Sequence, residues 1–222
     1  DFIKISIEQL LEKFYDNSYQ INIIIVDNSY PITPKNQIVS FLRYLENYQI
    51  KEKICIKYLP SDKNIGFASA CNKAALLGNS ENIIFLNCDT RFNLTSQNSL
   101  INSIALCSYE SPIIGVKICD QYGHFTYSAF THKPMYILTK PLNHLNGFCY
   151  RILKKLKIFD YNNYLDNLNL NSNKVFEVDW ISGCFMIINR KFFEKIGGFD
   201  ERFFMYFEDV DICRKVREMK GK

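Results

Sequence analysis

The chain has 222 residues, of which 47% are apolar and 15% aromatic. That is enough for one sizeable core or two small ones, and too apolar for a disordered chain. The formal net charge of +4 is mild, so composition makes no case for nucleic acid, although a local basic patch stays open. No apolar stretch approaches the roughly 18 to 20 residues of a membrane span, and no signal peptide is visible.

The eight cysteines are spaced at least 12 positions apart, so no C-x-x-C pair supports a zinc ribbon or thioredoxin-type chemistry. Most sit in apolar runs, where a free thiol behaves as a small hydrophobe, and they read as reduced and cytosolic. The chain opens on Asp1 and stops at Lys-Gly-Lys, so it is expected to be a domain trimmed at both ends.

In chain order, Ile7, Leu10, Leu11 and Phe14 recur at helical spacing and predict a helix over 5–16. The run "INIIIV" predicts a strand buried on both faces, ending in Asp27-Asn28-Ser29. Ile38, Phe41, Leu42 and Leu45 give a second amphipathic helix, and "ICIKYL" a second strand that runs into the polar turn Ser61-Asp62-Lys63-Asn64. "NIGFASACNKAALL" reads as a turn with Gly66 near its start, feeding a helix of small residues able to lie close to a sheet. "NIIFL" and "IIGVKI" are the third and fourth strands. Residues 120–175 change character, with few periods and several Asn-rich stretches. "CFMII" then predicts a strand, "KFFEKIGGFD" a short helix closed by Gly197-Gly198, and the end of the chain an acidic helix start. Strands alternating with helices argue for an α/β fold with a largely parallel sheet.

In such sheets ligands collect at the carboxyl ends of the strands. Three polar clusters fall there: Asp27-Asn28-Ser29, the turn from Asp62 to Gly66, and Asn87-Cys88-Asp89. Any one of them could be an ordinary turn, but three at strand ends are harder to dismiss. A lone Asp can hold Mg²⁺ or Mn²⁺ when substrate phosphates supply the other oxygens. The fourth cluster, Glu208-Asp209-x-Asp211, opens a helix, where acids complement the helix dipole. It also follows the aromatic run Phe203, Phe204, Tyr206 and Phe207, and an apolar surround would raise a carboxylate pKa and suit it to general-base work. G-x-G-x-x-G, P-loop, G-x-S-x-G and H-E-x-x-H motifs are missing, and His124, His132 and His144 share no ligand spacing. Asn93-Leu94-Thr95 matches a glycosylation sequon, without meaning in a cytosolic protein.

Taken in order, "IIIVDNS", "NIGFASACNKA", "IIFLNCDT" and "VDWISGCFMIINRKFFEKIGGFDERFFMYFEDVDICRKVRE" resemble the family 2 glycosyltransferases of GT-A fold, nearest the rhamnosyltransferase-like branch. The resemblance covers roughly residues 5–118 and 177–220. It implies a GT-A α/β fold, with a mostly parallel central sheet flanked by helices, in a single domain. Residues 1–118 would form its nucleotide-binding half and 119–222 its acceptor half, with an insert at about 120–175. It further implies inverting transfer of a sugar, rhamnose among the candidates, from a nucleotide-diphosphate donor to a saccharide or lipid-linked acceptor in surface polysaccharide synthesis. By the same resemblance Asp27, Asn28, Ser29, Asn64 and Gly66 bind the nucleotide, and Asp89 holds a divalent metal, Mg²⁺ or Mn²⁺. Trp180, Ser182 and Gly183 shape the donor-sugar and acceptor side, and Asp209 is the general base with Glu208 beside it.

Two points stand out. Asn87 replaces the first acid of the family's D-x-D motif, and by the resemblance the family's opening strand would be expected to precede residue 1. In the insert, Arg151, Lys154, Lys155 and Lys157 interleave with apolar residues, a pattern that suits either a solvated helix with one buried face or rest on an anionic membrane surface. The expected location is cytoplasmic, with peripheral contact at the inner membrane face in the second case. Two alternatives stay open: a nucleotidyltransferase on a similar sheet, and a non-catalytic nucleotide-sugar binder, which the lost acid makes conceivable.

Overall fold

A computed structural model describes residues 2–14, 19–29, 35–49, 53–92, 97–126, 128–130 and 175–220. The chain divides into two compact units, Asp1–Ala129 with Trp180–Lys222, and Phe130–Asp179. The basic segment 148–159, together with His132 and His144, lies outside the described residues.

The first unit starts with α1 (Phe2–Phe14), which buries Ser6, Ile7 and Leu11 at helical spacing. Strands β1 (Ile21–Asp27) and β2 (Ile54–Pro60) pair in parallel, from Ile21 opposite Ile54 to Asp27 opposite Pro60. Helix α2 (Lys35–Gln49) connects them. Ile7, Leu11, Ile25, Leu45 and Ile56 close into one buried cluster, so both helices cover the strand pair with their apolar stripes. Because the register is in step, both strands end together, and the Ser61 N–H donates to the Asp27 carbonyl at 3.0 Å.

Helix α3 (Phe67–Ala75) buries Ala68, Ala70 and Ala75, the small residues that allow close approach. Its last turn is held by Arg190, whose guanidinium donates to the Ala75 carbonyl at 2.8 Å and the Ser80 carbonyl at 2.6 Å. Beyond it come β3 (Asn82–Leu86), α4 (Gln97–Leu106), β4 (Ile113–Gly115) and the antiparallel pair β5 (Ile118–Cys119) and β6 (Phe125–Thr126). Two-residue strands β7 (Ala129–Phe130) and β8 (Trp180–Ile181) precede β9 (Phe185–Asn189), α5 (Arg190–Lys195) and α6 (Glu208–Lys220).

Strand β9 lies between β3 and β4 and is buried at all five positions, which accounts for its unbroken apolar run. It runs antiparallel to both neighbours, with Leu86 opposite Phe185 and Asn82 opposite Asn189. The α/β class therefore holds with parallel pairing at β1–β2, while β9 departs from the parallel expectation. Its connection permits this: parallel neighbours need a crossover that returns the chain to the same end of the sheet, whereas the long stretch between β4 and β9 can bring the chain back at either end.

Below the end of β3, Phe85, Phe193 and Phe199 pack with ring centroids 4.8 to 5.7 Å apart. They seat the turn after α5, where Gly197 and Gly198 take positive φ of 77° and 71°. Replacing Ile187, fully buried at the centre of β9, by Ala is expected to cost about 2 to 5 kcal/mol. Urea denaturation would read this as a lower midpoint with an unchanged slope.

Candidate active site

Asp27 closes β1 with both carboxylate oxygens engaged. Oδ2 accepts the Tyr58 hydroxyl at 2.5 Å, and Oδ1 accepts the Ser29 backbone N–H at 3.0 Å as well as the Ser29 hydroxyl. Tyr58 pairs with Ile25 across the strands, which sets it diagonally from Asp27 on one face. Burial, and then the adjoining Asp27 carboxylate, hold the Tyr58 phenol well above its ordinary range.

Asn28 ties this strand end to the turn after β2. Its amide nitrogen donates to Asn64 Oδ1 at 2.9 Å and to the Gly66 carbonyl at 3.1 Å, while its oxygen accepts the Ile65 N–H at 2.9 Å. Asn64 Oδ1 also accepts the Gly66 N–H at 3.0 Å. Gly66 has φ +82°, and a Cβ there would stand 2.4 Å from the Phe204 carbonyl oxygen. Only glycine fits, and the next N–H, that of Phe67, donates to that same oxygen at 2.8 Å. Asp27 with Ser29, and Asn28 with Asn64 and Gly66, thus form two hydrogen-bonded sets that meet along the chain at the end of β1.

A second group gathers at the other strand ends. The Asn87 N–H donates to the Cys184 carbonyl at 3.0 Å, continuing the β3–β9 ladder by one step. Next to Cys184, the Gly183 N–H donates to Asp209 Oδ2 at 3.0 Å, and Asp209 Oδ1 accepts the Val210 N–H at 2.8 Å. A Cβ on Gly183 would meet Asp209 Cβ at 3.5 Å and the Phe67 ring at 3.7 Å. The Ser182 N–H donates to the Ser128 carbonyl at 2.9 Å, and its hydroxyl accepts the Cys184 N–H at 3.4 Å. Trp180 is half-buried on β8, ahead of this turn.

Asp89 is exposed in the turn that Asn87 anchors. Among the described residues no three His, Cys, Asp or Glu side chains converge into a metal-holding group. Asp89 offers a divalent cation a carboxylate here. That donor set fits a hard cation whose remaining oxygens come from a substrate diphosphate.

The aromatic run before α6 does not bury the acids that follow it. Phe204, Met205, Tyr206 and Phe207 are themselves 55 to 68% exposed. Tyr206 and Phe207 both have φ +70°, a left-handed conformation costly for side chains of this size. Among the described residues the buried acid is Glu208, 6% exposed, and no described group offers its Oε2 a hydrogen bond. Desolvation by burial, followed by the neighbouring Asp209 charge, raises its pKa. The Cys71 thiol on α3 is likewise pushed up to about 12 by burial and by Glu208.

Solved structures with this architecture are glycosyltransferases of GT-A fold. Mannosyltransferase PcManGT from Pyrobaculum calidifontis, in complex with GDP-Man and Mn²⁺, superposes with a TM-score of 0.57 at 14% identity, over 98% of this chain and 48% of that one. GalNAc-T7 with UDP, GalNAc and Mn²⁺ gives 0.55 at 12% identity, over 95% and 37%. The profile of glycosyl transferase family 2 matches residues 1–197, and the chain belongs to that family. Short segments match rhamnosyltransferases. N-acetylglucosaminyl-diphospho-decaprenol L-rhamnosyltransferase of Mycobacterium tuberculosis (strain CDC 1551 / Oshkosh) is 54% identical over 35 residues, 16% of this chain and 11% of that protein. Rhamnosyltransferase WbbL of Escherichia coli (strain K12) is 44% identical over 39 residues, 18% of this chain and 15% of that protein. The matched segments therefore span well under a quarter of those relatives. Among the described residues, no helix is long and apolar enough to cross a membrane.

The raised pKa of Glu208 makes a signed prediction. Below its ordinary value of 4.5 the carboxyl is protonated in both folded and unfolded chains, and its contribution to stability is fully present. That contribution is lost as pH rises through the higher folded value, because a buried charge must then be carried. Glu208→Gln is expected to match the native protein at pH 4 and to exceed it increasingly toward pH 8, as read by denaturant midpoints across pH. A gap that widened toward acid would reverse the assignment.

Proposed function

We propose that this chain is the catalytic domain of an inverting glycosyltransferase that moves a sugar from a nucleotide-diphosphate donor to an acceptor hydroxyl. The observation carrying this reading is the Asp209 carboxylate, held by the Gly183 N–H at 3.0 Å in the turn whose next carbonyl anchors Asn87. A fixed carboxylate beside an exposed carboxylate turn is the arrangement a displacement needs, with a base at one end and charge neutralisation at the other.

In this reading Asp209 accepts the proton of the acceptor hydroxyl as the oxygen bonds to the anomeric carbon. The bond from that carbon to the diphosphate oxygen breaks, and the nucleoside diphosphate leaves with the electron pair. Attack opposite the leaving group inverts the configuration. Asp27, Asn28, Ser29, Asn64 and Gly66 receive the nucleotide, Asp27 offering the acceptor-only face of a carboxylate that Tyr58 and Ser29 orient. Trp180, Ser182 and Gly183 border the sugar. Asp89 would hold Mg²⁺ or Mn²⁺, which when bound neutralises charge on the diphosphate.

The rhamnosyltransferase matches support an activated rhamnose as donor, with dTDP-rhamnose the first to assay. The decaprenol-linked substrate in one relative's name supports a saccharide or lipid-linked saccharide acceptor. An acceptor of that kind would bring the domain to the cytoplasmic face of a membrane during surface polysaccharide synthesis.

Asp209→Asn is expected to keep donor binding and to lose about 10²- to 10⁴-fold in transfer rate, the usual worth of a general base. Asp89→Ala is expected to lose the Mn²⁺-dependent thermal stabilisation given by dTDP-rhamnose, and turnover with it. Nucleoside diphosphate release identifies sugar transfer, whereas diphosphate release would identify nucleotidyl transfer. Normal turnover by Asp209→Asn would remove the base assignment.

A further inference from the structure

Helix α3 is bonded to the loop between α5 and α6 at several points. Asn72 accepts the Phe199 N–H at 2.9 Å and donates to the Phe199 carbonyl at 2.9 Å and to Glu201 Oε1 at 3.0 Å. An amide suits this place because it both donates and accepts, which neither a carboxylate nor an ammonium group can do. Ser69, three residues earlier on the same helix face, donates to Glu201 Oε2 at 3.0 Å. Gly198 makes the approach feasible: at φ +71°, a Cβ there would stand 2.6 Å from Asn72 Oδ1. At the start of the helix, the Phe67 N–H holds the Phe204 carbonyl.

These bonds secure a segment whose own bonds are local: the Phe203 N–H donates to the Asp200 carbonyl at 3.1 Å, and the Arg202 guanidinium donates to the Asp200 carboxylate. Its outer residues from Phe204 to Phe207 are exposed, and two of them sit at φ +70°. Exposed side chains supply little packing to hold a strained backbone, so the conformation depends on its anchors. Immediately after it come Glu208 and Asp209.

We propose that Asn72 is a positioning residue for Asp209. It touches no reacting group. By fixing Phe199 and Glu201 it sets where the following loop delivers Asp209, and so keeps that carboxylate on the Gly183 N–H. The same helix opens on the turn that Asn28 and Asn64 bind, so one rigid element carries both the nucleotide-side turn and the support of the base. This inference rests on the reading of Asp209 as general base.

The test uses the chain with Asn72→Ala, and with Glu201→Ala as a second variant at an exposed position where folding is not at stake. Asn72→Ala is expected to bind dTDP with Mn²⁺ within about twofold of the native affinity by calorimetry, while kcat with dTDP-rhamnose falls about 10- to 100-fold, the scale of a misplacement near 1 Å. Glu201→Ala is expected to lower kcat in the same direction by less. Hydrogen exchange reads the clamp without any activity: in Asn72→Ala the Phe199 and Phe203 amides exchange faster while those of β1 and β2 keep their rates. Equal losses in dTDP affinity and kcat would overturn the proposal, as would native exchange at Phe199 and Phe203. Full turnover by Asp209→Asn would instead remove the base reading, leaving the exchange result to decide the clamp.

Discussion

Strand β9 is the constraint on which the rest of the molecule depends. All five of its residues are buried, β3 pairs with the whole of it and β4 with Met186 to Ile188, so it is fixed from both sides. It runs antiparallel to β3, so it begins where β3 finishes, with Phe185 opposite Leu86. That direction places Gly183 and Cys184 beside Asn87 and lets the Gly183 N–H reach Asp209. A parallel β9 would set Asn189 at that end and move Gly183 a strand length away, at about 3.3 Å per residue. The expectation that chemistry gathers at the carboxyl ends of strands thus acquires a complement here, the amino end of an inserted strand.

The group at the ends of β1 and β2 depends on α3. Asn28 and Asn64 lock the ends of β1 and β2 around Gly66, and Gly66 lets the Phe204 carbonyl come against the first turn of the helix. Left-handed Tyr206 and Phe207 carry a strain on the order of 1 to 3 kcal/mol each, offset by bonds at both margins of the loop. Strain held from outside is characteristic of positions where geometry matters more than local comfort. The exposed aromatic residues have no comparable packing role in the described structure, in contrast to Phe85, Phe193 and Phe199 beneath them.

Much of the fold was legible because it rests on local pattern. Short apolar runs rich in isoleucine marked β1 and β3, helical spacing marked α1 and α2, and paired glycines marked the turn after α5. The polar clusters at the ends of β1, β2 and β3 stood out for the same reason, since a strand that stops on Asp or Asn leaves a visible boundary. What stayed hidden depends on pairs far apart in the chain. Tyr58 reads as one more apolar residue of β2 until the register sets it diagonally from Asp27. Asn72 reads as a polar residue on a small-residue helix, and its partners Phe199 and Glu201 lie 127 and 129 positions away. The direction of β9 has no signature in its own residues, because a strand buried on both faces looks alike from either end. The aromatic run before α6 misled for a related reason: hydrophobicity suggested burial, whereas the backbone turns those side chains outward.

The adjacent acids at the start of α6 illustrate how a helix separates what a sequence joins. Successive residues project about 100° apart around a helix, so Glu208 and Asp209 face different partners even though each feels the other's charge. Glu208 turns inward beside Cys71, with an oxygen that no described group satisfies and a raised pKa, while Asp209 faces Gly183 with both oxygens accepting backbone N–H groups. A base must meet a substrate, and of the two only Asp209 borders the turn where β3 and β9 end. The apolar surround expected for the base is thus found around its neighbour. In the proposed mechanism proton transfer falls to Asp209 alone, and Glu208 acts only by the charge it does or does not place beneath it.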